Sequence, residues 1–159
     1  MDRFSALPVR GRIHHVATVV KDLDAAVKFH AEVLGLPLEQ IADVPSQEVR
    51  IAFLTAGDSK IELVAPTNST SGVARFLASK GEGFHHLCFE VDDIDAELLR
   101  LAGAGVQLIN DVAVEGVEGP VAFLHPKSCH GVLVELIEAP GGPAWKRLGY
   151  GDPTVLRIR

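Results

Sequence analysis

Cysteine is scarce in this chain: the 159 residues contain two, Cys88 and Cys129, at no spacing that makes a disulfide framework. Both are expected to be buried free thiols in a reduced, cytoplasmic setting. A basic excess is also missing. Fifteen Lys and Arg stand against 21 Asp and Glu, for a net charge of -6, whereas a nucleic-acid partner calls for a concentrated basic face. No run reaches the roughly 18 apolar residues of a membrane span, and the first residues carry no apolar stretch of the signal-peptide kind. Neither nucleic acid nor membrane is therefore an expected partner. What the chain does have is 47% hydrophobic residues, enough to bury a real core in a single domain of this length.

Histidine is used in an unusual way. RIHHVATVVKDLDA (12–25) carries the doublet His14-His15, and GFHHLCFEVDDIDA (83–96) carries His85-His86. A shift of 71 residues superposes the two doublets, Val20 on Val91, Asp22 on Asp93, Asp24 on Asp95 and Ala25 on Ala96. Further on, Phe53-Leu54 matches Phe123-Leu124, and IELVAP (61–66) matches VELIEAP (134–140) with one extra residue before the closing Ala-Pro. The chain is an internal duplication. Its period exceeds the roughly 20 to 50 residues of solenoid repeats, which favours a pair of modules related by a pseudo-twofold axis.

Each copy reads βαβββ. In the first, Ile13 to Val20 is β-rich, Asp22 or Asp24 can cap a helix running through Leu34, and Gly35 stands where a helix stop belongs. Strands follow near Leu38 to Ala42, Val49 to Leu54 and Lys60 to Val64. The second copy predicts a strand over Leu87 to Val91, a helix from about Asp95 to Ala102, then strands over Gln107 to Asn110, Val121 to Leu124 and Val132 to Ile137. Modules over 12–66 and 84–138 are joined by a helix at 71–80, whose apolar residues Val73, Phe76 and Leu77 have helical spacing. The expected organisation is an α+β fold in one domain over 1–138. A Gly/Pro-rich tail at 139–159 follows, whose Trp145, Tyr150, Val155, Leu156 and Ile158 should dock on the domain or on a partner subunit.

Strand alternation separates the members of each doublet. His85, Leu87, Phe89 and Val91 share the face a helix would cover, while His86, Cys88 and Glu90 share the other. The repeat puts His15 in the place of His86, although its face also carries Ile13, Ala17 and Val19. In the closing strands Glu62 points away from Ile61 and Leu63, and Glu135 away from Val134 and Leu136. A single polar strand residue more often just faces water. Four of them, His15, Glu62, His86 and Glu135, in pairwise equivalent positions suit a divalent metal of intermediate softness: cobalt, manganese, nickel, iron or zinc. Buried carboxylates need such a partner. His14 and His85 are expected to be packing or surface residues.

The span from Arg12 to Pro140 resembles the vicinal oxygen chelate superfamily, and within it the methylmalonyl-CoA epimerase family, through IHHVATVV, KIELVAP, GEGFHHLCFEVDDIDA and FLHPKSCHGVLVEL (123–136). In the last motif His125-Pro126-Lys127-Ser128 stands where lactoylglutathione lyases usually have an Asp-Pro-Asp-Gly type turn. The resemblance implies paired βαβββ modules forming a curved sheet around a metal-binding cleft, with His15, Glu62, His86 and Glu135 as ligands. It also implies an acyl-CoA substrate whose α-proton is removed and returned, the metal acting as Lewis acid, and a homodimer. Glu135 is expected as one acid/base. Some relatives carry a non-ligand glutamate where this chain has Ile51, and Gln where it has Glu62. Glu62 is therefore expected to serve as the second acid/base as well as a ligand, with Glu48 a weaker candidate. Lys127 is the expected contact for CoA, ahead of Arg50 and Lys60. Two other readings are a different glyoxalase-type isomerase or lyase and a non-catalytic small-molecule-binding protein of the same fold.

Overall fold

Two Asp residues set the helices that shape each half. The computed structural model describes residues 9–141. After β1 (Val9–Val19), the carboxylate of Asp22 accepts the Ala25 amide at 3.1 Å and starts α1 (Leu23–Lys28). In the other half Asp93 accepts the Ala96 amide at 3.1 Å and starts α3 (Ile94–Gly103). These are the capping bonds that acidic N-cap residues supply to otherwise unpaired amides. The helical run of the first half reaches Leu34 as expected, but Phe29–Val33 is a π-helical turn, and Gly35 then leaves the helix at φ 75°. Helical spacing of apolar residues does not register the switch to a wider turn.

Ten further elements complete the described residues. They include β2 (Leu38–Val44), β3 (Val49–Ala56), β4 (Ser59–Pro66), α2 (Gly72–Lys80), β5 (Gly83–Val91), β6 (Val114–Gly116), β7 (Gly119–Leu124), β8 (Val134–Glu138) and a 3-10 turn at Pro126–Ser128 in the HPKS loop. A second 3-10 turn, Pro45–Gln47, sits between β2 and β3. The fold is α+β, with two βαβββ modules and α2 between them in sequence. One expected strand is absent as such. Gln107 to Asn110 forms only an isolated bridge, Leu108 to Leu124, and the short strand of the second module is β6 instead. The cause is local: the Asn110 side chain accepts the Phe123 amide at 2.9 Å, and the Ser128 hydroxyl accepts the Gln107 amide at 2.8 Å, so side chains take bonds a ladder would need.

The chain divides into two units, Ile13–Cys88 and the residues on either side of it, with the boundary inside β5. In Ile13–Cys88 the strand order is β2-β3-β4-β1-β5. Strand β4 lies parallel to β1, with Glu62 beside Ala17, and antiparallel to β3, with Glu62 beside Phe53. One sheet face packs Ala52, Leu54, Leu63 and Ala65 against Ala26 and Val27 of α1. Leu54 and Leu63 are fully buried, each stabilising the fold by about 1.5 to 3 kcal/mol. The opposite face gathers Ala17, Val49, Ile51, Phe53 and Val64, with Val73 of α2 against them. His15 and Glu62 belong to this second face by strand alternation.

In the other unit the order is β5-β8-β7-β6. Its core joins Val91, Ile94, Leu98, Ala122, Leu124 and Leu136. Glu135 lies opposite Phe123 on β7, as Glu62 lies opposite Phe53 on β3. The tail expected to dock lies outside the described residues from position 142 onward.

Candidate metal centre

Strand alternation with a hydrophobic face on one side carries the inner histidines and Glu62 into a dry setting. His15 is 2% exposed, His86 4% and Glu62 8%. Their polar atoms converge. His15 Nε2 lies 2.8 Å from Glu62 Oε2 and 3.2 Å from His86 Nε2, and His86 Nε2 lies 3.8 Å from the same carboxylate oxygen. The Phe53 ring stands edge-on to His15 at 5.5 Å between centroids. With Ile51 and Ala17 on the same face, the three polar groups are set into apolar surroundings where their mutual interactions are strong.

Burial has an electrostatic consequence. The His86 imidazole is held well below its ordinary pKa, chiefly by desolvation and then by the neighbouring His15 and His85 rings. Desolvation likewise lowers His85, partly offset by Glu62. A neutral imidazole keeps a lone pair, which is the form a metal needs.

The donor set fits a divalent cation. An ion that holds N and O donors at about 2.1 Å with near-right angles spaces them by about 3 Å. The separations of 2.8 and 3.2 Å are of that size. Two imidazoles and a carboxylate suit the borderline first-row metals and zinc, and a bound cation would offset the cost of keeping the Glu62 carboxylate buried.

The other residues singled out in the sequence fall in varied places. Glu135 is 7% exposed on β8. Glu90, on the His86 face of β5, is buried and meets Arg12 at 4.0 Å, an ion pair that gives its carboxylate a partner. Glu48 is exposed, in the left-handed conformation at φ 56° that ends the turn at Pro45–Gln47. Ile51 is a buried core residue, so that position offers no acid or base. Lys60 is held by Glu39 at 2.7 Å and Arg50 by Asp43 at 3.5 Å. Lys127 is exposed in the HPKS turn, whose start is capped by His125 Nδ1 accepting the Lys127 amide at 3.1 Å. Neither cysteine forms a disulfide, as expected; Cys88 is buried, whereas Cys129 is only partly so.

The outer histidines are more than packing residues. His14 Nδ1 is 2.8 Å from His15 Nδ1, and His85 Nδ1 is 2.7 Å from His86 Nδ1. His85 also packs edge-on against Phe76 of α2 at 5.0 Å. Alternation reports where Cβ points, and a ring nitrogen two bonds further out can still reach its neighbour's ring. The doublet itself was the signal.

Residues 14–123 match the family model of the glyoxalase/bleomycin resistance protein/dioxygenase superfamily. The chain is 42% identical over 131 residues to mitochondrial methylmalonyl-CoA epimerase of Mus musculus, covering 81% of this chain and 74% of that protein. It is 41% identical to the ethylmalonyl-CoA/methylmalonyl-CoA epimerase of Cereibacter sphaeroides, over 79% of this chain and 96% of the other. A solved methylmalonyl-CoA epimerase in complex with methylmalonyl-CoA and NH4+ shares the fold at a TM-score of 0.78 with 36% identity, covering 83% of this chain and 96% of that one. The chain belongs to the glyoxalase/bleomycin resistance protein/dioxygenase superfamily, in the branch formed by the methylmalonyl-CoA epimerases.

Proposed function

We propose that this epimerase interconverts the 2R and 2S epimers of methylmalonyl-CoA, or of a close malonyl-thioester homologue, with a divalent metal held by His15, Glu62, His86 and Glu135. The observation that carries the reading is the convergence of two buried imidazole Nε2 atoms and the Glu62 carboxylate in one unit of the fold. Glu135 joins the set on the strength of the duplication: it occupies in the second module the place of Glu62 in the first, each opposite a Phe. The substrate class follows from the relatives, which are named for methylmalonyl-CoA and ethylmalonyl-CoA. Cobalt, manganese, nickel, iron and zinc all match the donor types; the proposed setting is a cytoplasmic homodimer. No helix among the described residues is long and apolar enough to cross a membrane.

The chemistry asks for two things of the protein. Carbon 2 of a malonyl thioester bears an acidic hydrogen, and its removal leaves negative charge on the thioester oxygen. When bound, the cation supplies the Lewis acidity that stabilises this charge. The chain must supply a base on one side of the carbon and an acid on the other. Glu135 and Glu62 take these roles, each moving a proton between a carboxylate oxygen and carbon 2 from opposite faces. Lys127, exposed in the HPKS turn, is free to swing as a point charge toward a CoA phosphate.

Incubating the protein with methylmalonyl-CoA in deuterium oxide, in parallel with each of the five metals, tests the reading. Deuterium should enter carbon 2 as the epimers equilibrate. Absence of exchange with every metal overturns it.

A further inference from the structure

The four histidines of the two doublets form one hydrogen-bonded chain in the spatial order His14, His15, His86, His85. Its three links are Nδ1 to Nδ1 at 2.8 Å, Nε2 to Nε2 at 3.2 Å and Nδ1 to Nδ1 at 2.7 Å. Each N···N link needs one N–H and one lone pair, and each neutral imidazole carries one of each. With neutral rings and no metal the chain runs in a single direction, with an N–H on one inner Nε2 that faces the other Nε2 and, on His15, also the Glu62 carboxylate oxygen at 2.8 Å. A cation held by His15 and His86 through Nε2 would need both of those lone pairs, so the hydrogen of the inner ring that carried it on Nε2 would sit on that ring's Nδ1 instead and its outer neighbour's on Nε2, every ring staying neutral. The inner rings must then carry their hydrogens on Nδ1 and donate outward, and both outer rings must accept at Nδ1.

We propose that His14 and His85 are positioning residues for the metal, each accepting the Nδ1–H of the adjacent ligand and thereby holding His15 and His86 in the tautomer and orientation that present Nε2. This rests on the metal reading above. The placement supports it independently of the ligands themselves. His85 is fixed from outside by Phe76, and the same Nδ1 contact recurs in both modules although the surroundings differ. Outer-shell acceptors of this kind ordinarily contribute about 10- to 100-fold in metal affinity.

The test exploits the shape of asparagine, whose side-chain oxygen sits near the place of histidine Nδ1 and can accept a hydrogen bond, whereas leucine fills similar space and cannot. Zinc affinity is measured for the full chain by competition with a chromogenic chelator. His85→Leu should weaken zinc by about 10- to 100-fold, and His85→Asn should recover most of the loss; His14→Leu and His14→Asn should behave alike. If His85 acts only by packing on Phe76, the order reverses and Leu is the better replacement. Nitrogen-15 spectra of the zinc-loaded wild type should show His86 protonated on Nδ1 and His85 on Nε2. Wild-type affinity in both Leu variants, Asn as weak as Leu, or an outer ring protonated on Nδ1 each overturns the proposal. Failure of the wild type to bind zinc, cobalt, manganese, nickel or iron overturns the metal reading itself, and this proposal with it.

Discussion

The Nε2 atoms of His15 and His86 stand 3.2 Å apart, although 71 positions separate the two residues in sequence. Each comes from the first strand of its own βαβββ module, so the contact is the duplication made physical. Removing one imidazole leaves the other beside Glu62 with a ligand missing. His86→Ala should therefore lose stoichiometric metal and epimerase activity together, as read by metal analysis after gel filtration and by turnover. A variant that keeps wild-type metal content contradicts the assignment of His86 as a ligand.

Much of this was readable in the sequence, for a specific reason. A residue on a strand whose other face is packed cannot choose its side, because slipping one position would bury the wrong set. Phe89 and Val91 on the covered face of β5 thus point His86 and Cys88 the other way, and the structure has them so. The repeat then carried the assignment to His15, whose own strand is apolar on both faces and silent by itself. Two kinds of feature escaped. Hydrogen bonds made by side chains do not follow periodicity, so Asn110 converts an expected strand to a loop, and His14 and His85 turn out to touch the inner histidines. Partner identity is equally invisible to alternation. Glu90 shares the His86 face and is buried, yet Arg12 is its partner.

The paired N-caps make a stability prediction that the duplication doubles. Asp93 accepts the Ala96 amide, and Asp22 accepts the Ala25 amide, each at 3.1 Å. Asp93→Ala should lower unfolding stability by about 1 kcal/mol, and Asp93→Asn, an equally good cap, by much less. Urea midpoints with unchanged slope would report this cleanly. Equal losses in the two variants would mean that the charge of Asp93, rather than its cap, carries the effect.

Two glycines should respond to alanine with opposite signs. A Cβ at Gly116 in the β6–β7 hairpin would lie 2.8 Å from the Gly119 carbonyl oxygen and 2.9 Å from a Val121 methyl. The backbone oxygen cannot swing aside, so Gly116→Ala should cost about 1 to 3 kcal/mol. Gly103, the last residue of α3, has nothing within 4 Å of such a Cβ. Gly103→Ala should stabilise by about 0.4 to 1 kcal/mol, by restricting the unfolded chain. Denaturant titration of both variants checks the pair, and a neutral Gly116→Ala would refute the packing of this hairpin.

The two carboxylates offer the sharpest test of the chemistry. If Glu62 and Glu135 both bind the metal and also serve opposite faces of carbon 2, Gln at either position should keep part of the metal, because the amide oxygen still coordinates. It should stop proton transfer on its own face, because an amide cannot accept the proton at useful pH. Epimerisation needs both faces, whereas deuterium wash-in needs one. Each variant should therefore exchange deuterium into a single epimer with retention, through its surviving carboxylate, while failing to interconvert the two. Glu62→Gln and Glu135→Gln should select opposite epimers, a result that lost folding or lost metal would not produce. Ile51, buried on the neighbouring strand, provides no replacement carboxylate for Glu62. If Glu62→Gln epimerises at nearly the wild-type rate, Glu62 is a ligand only. Glu48, exposed at the end of the Pro45–Gln47 turn, then becomes the next residue to replace.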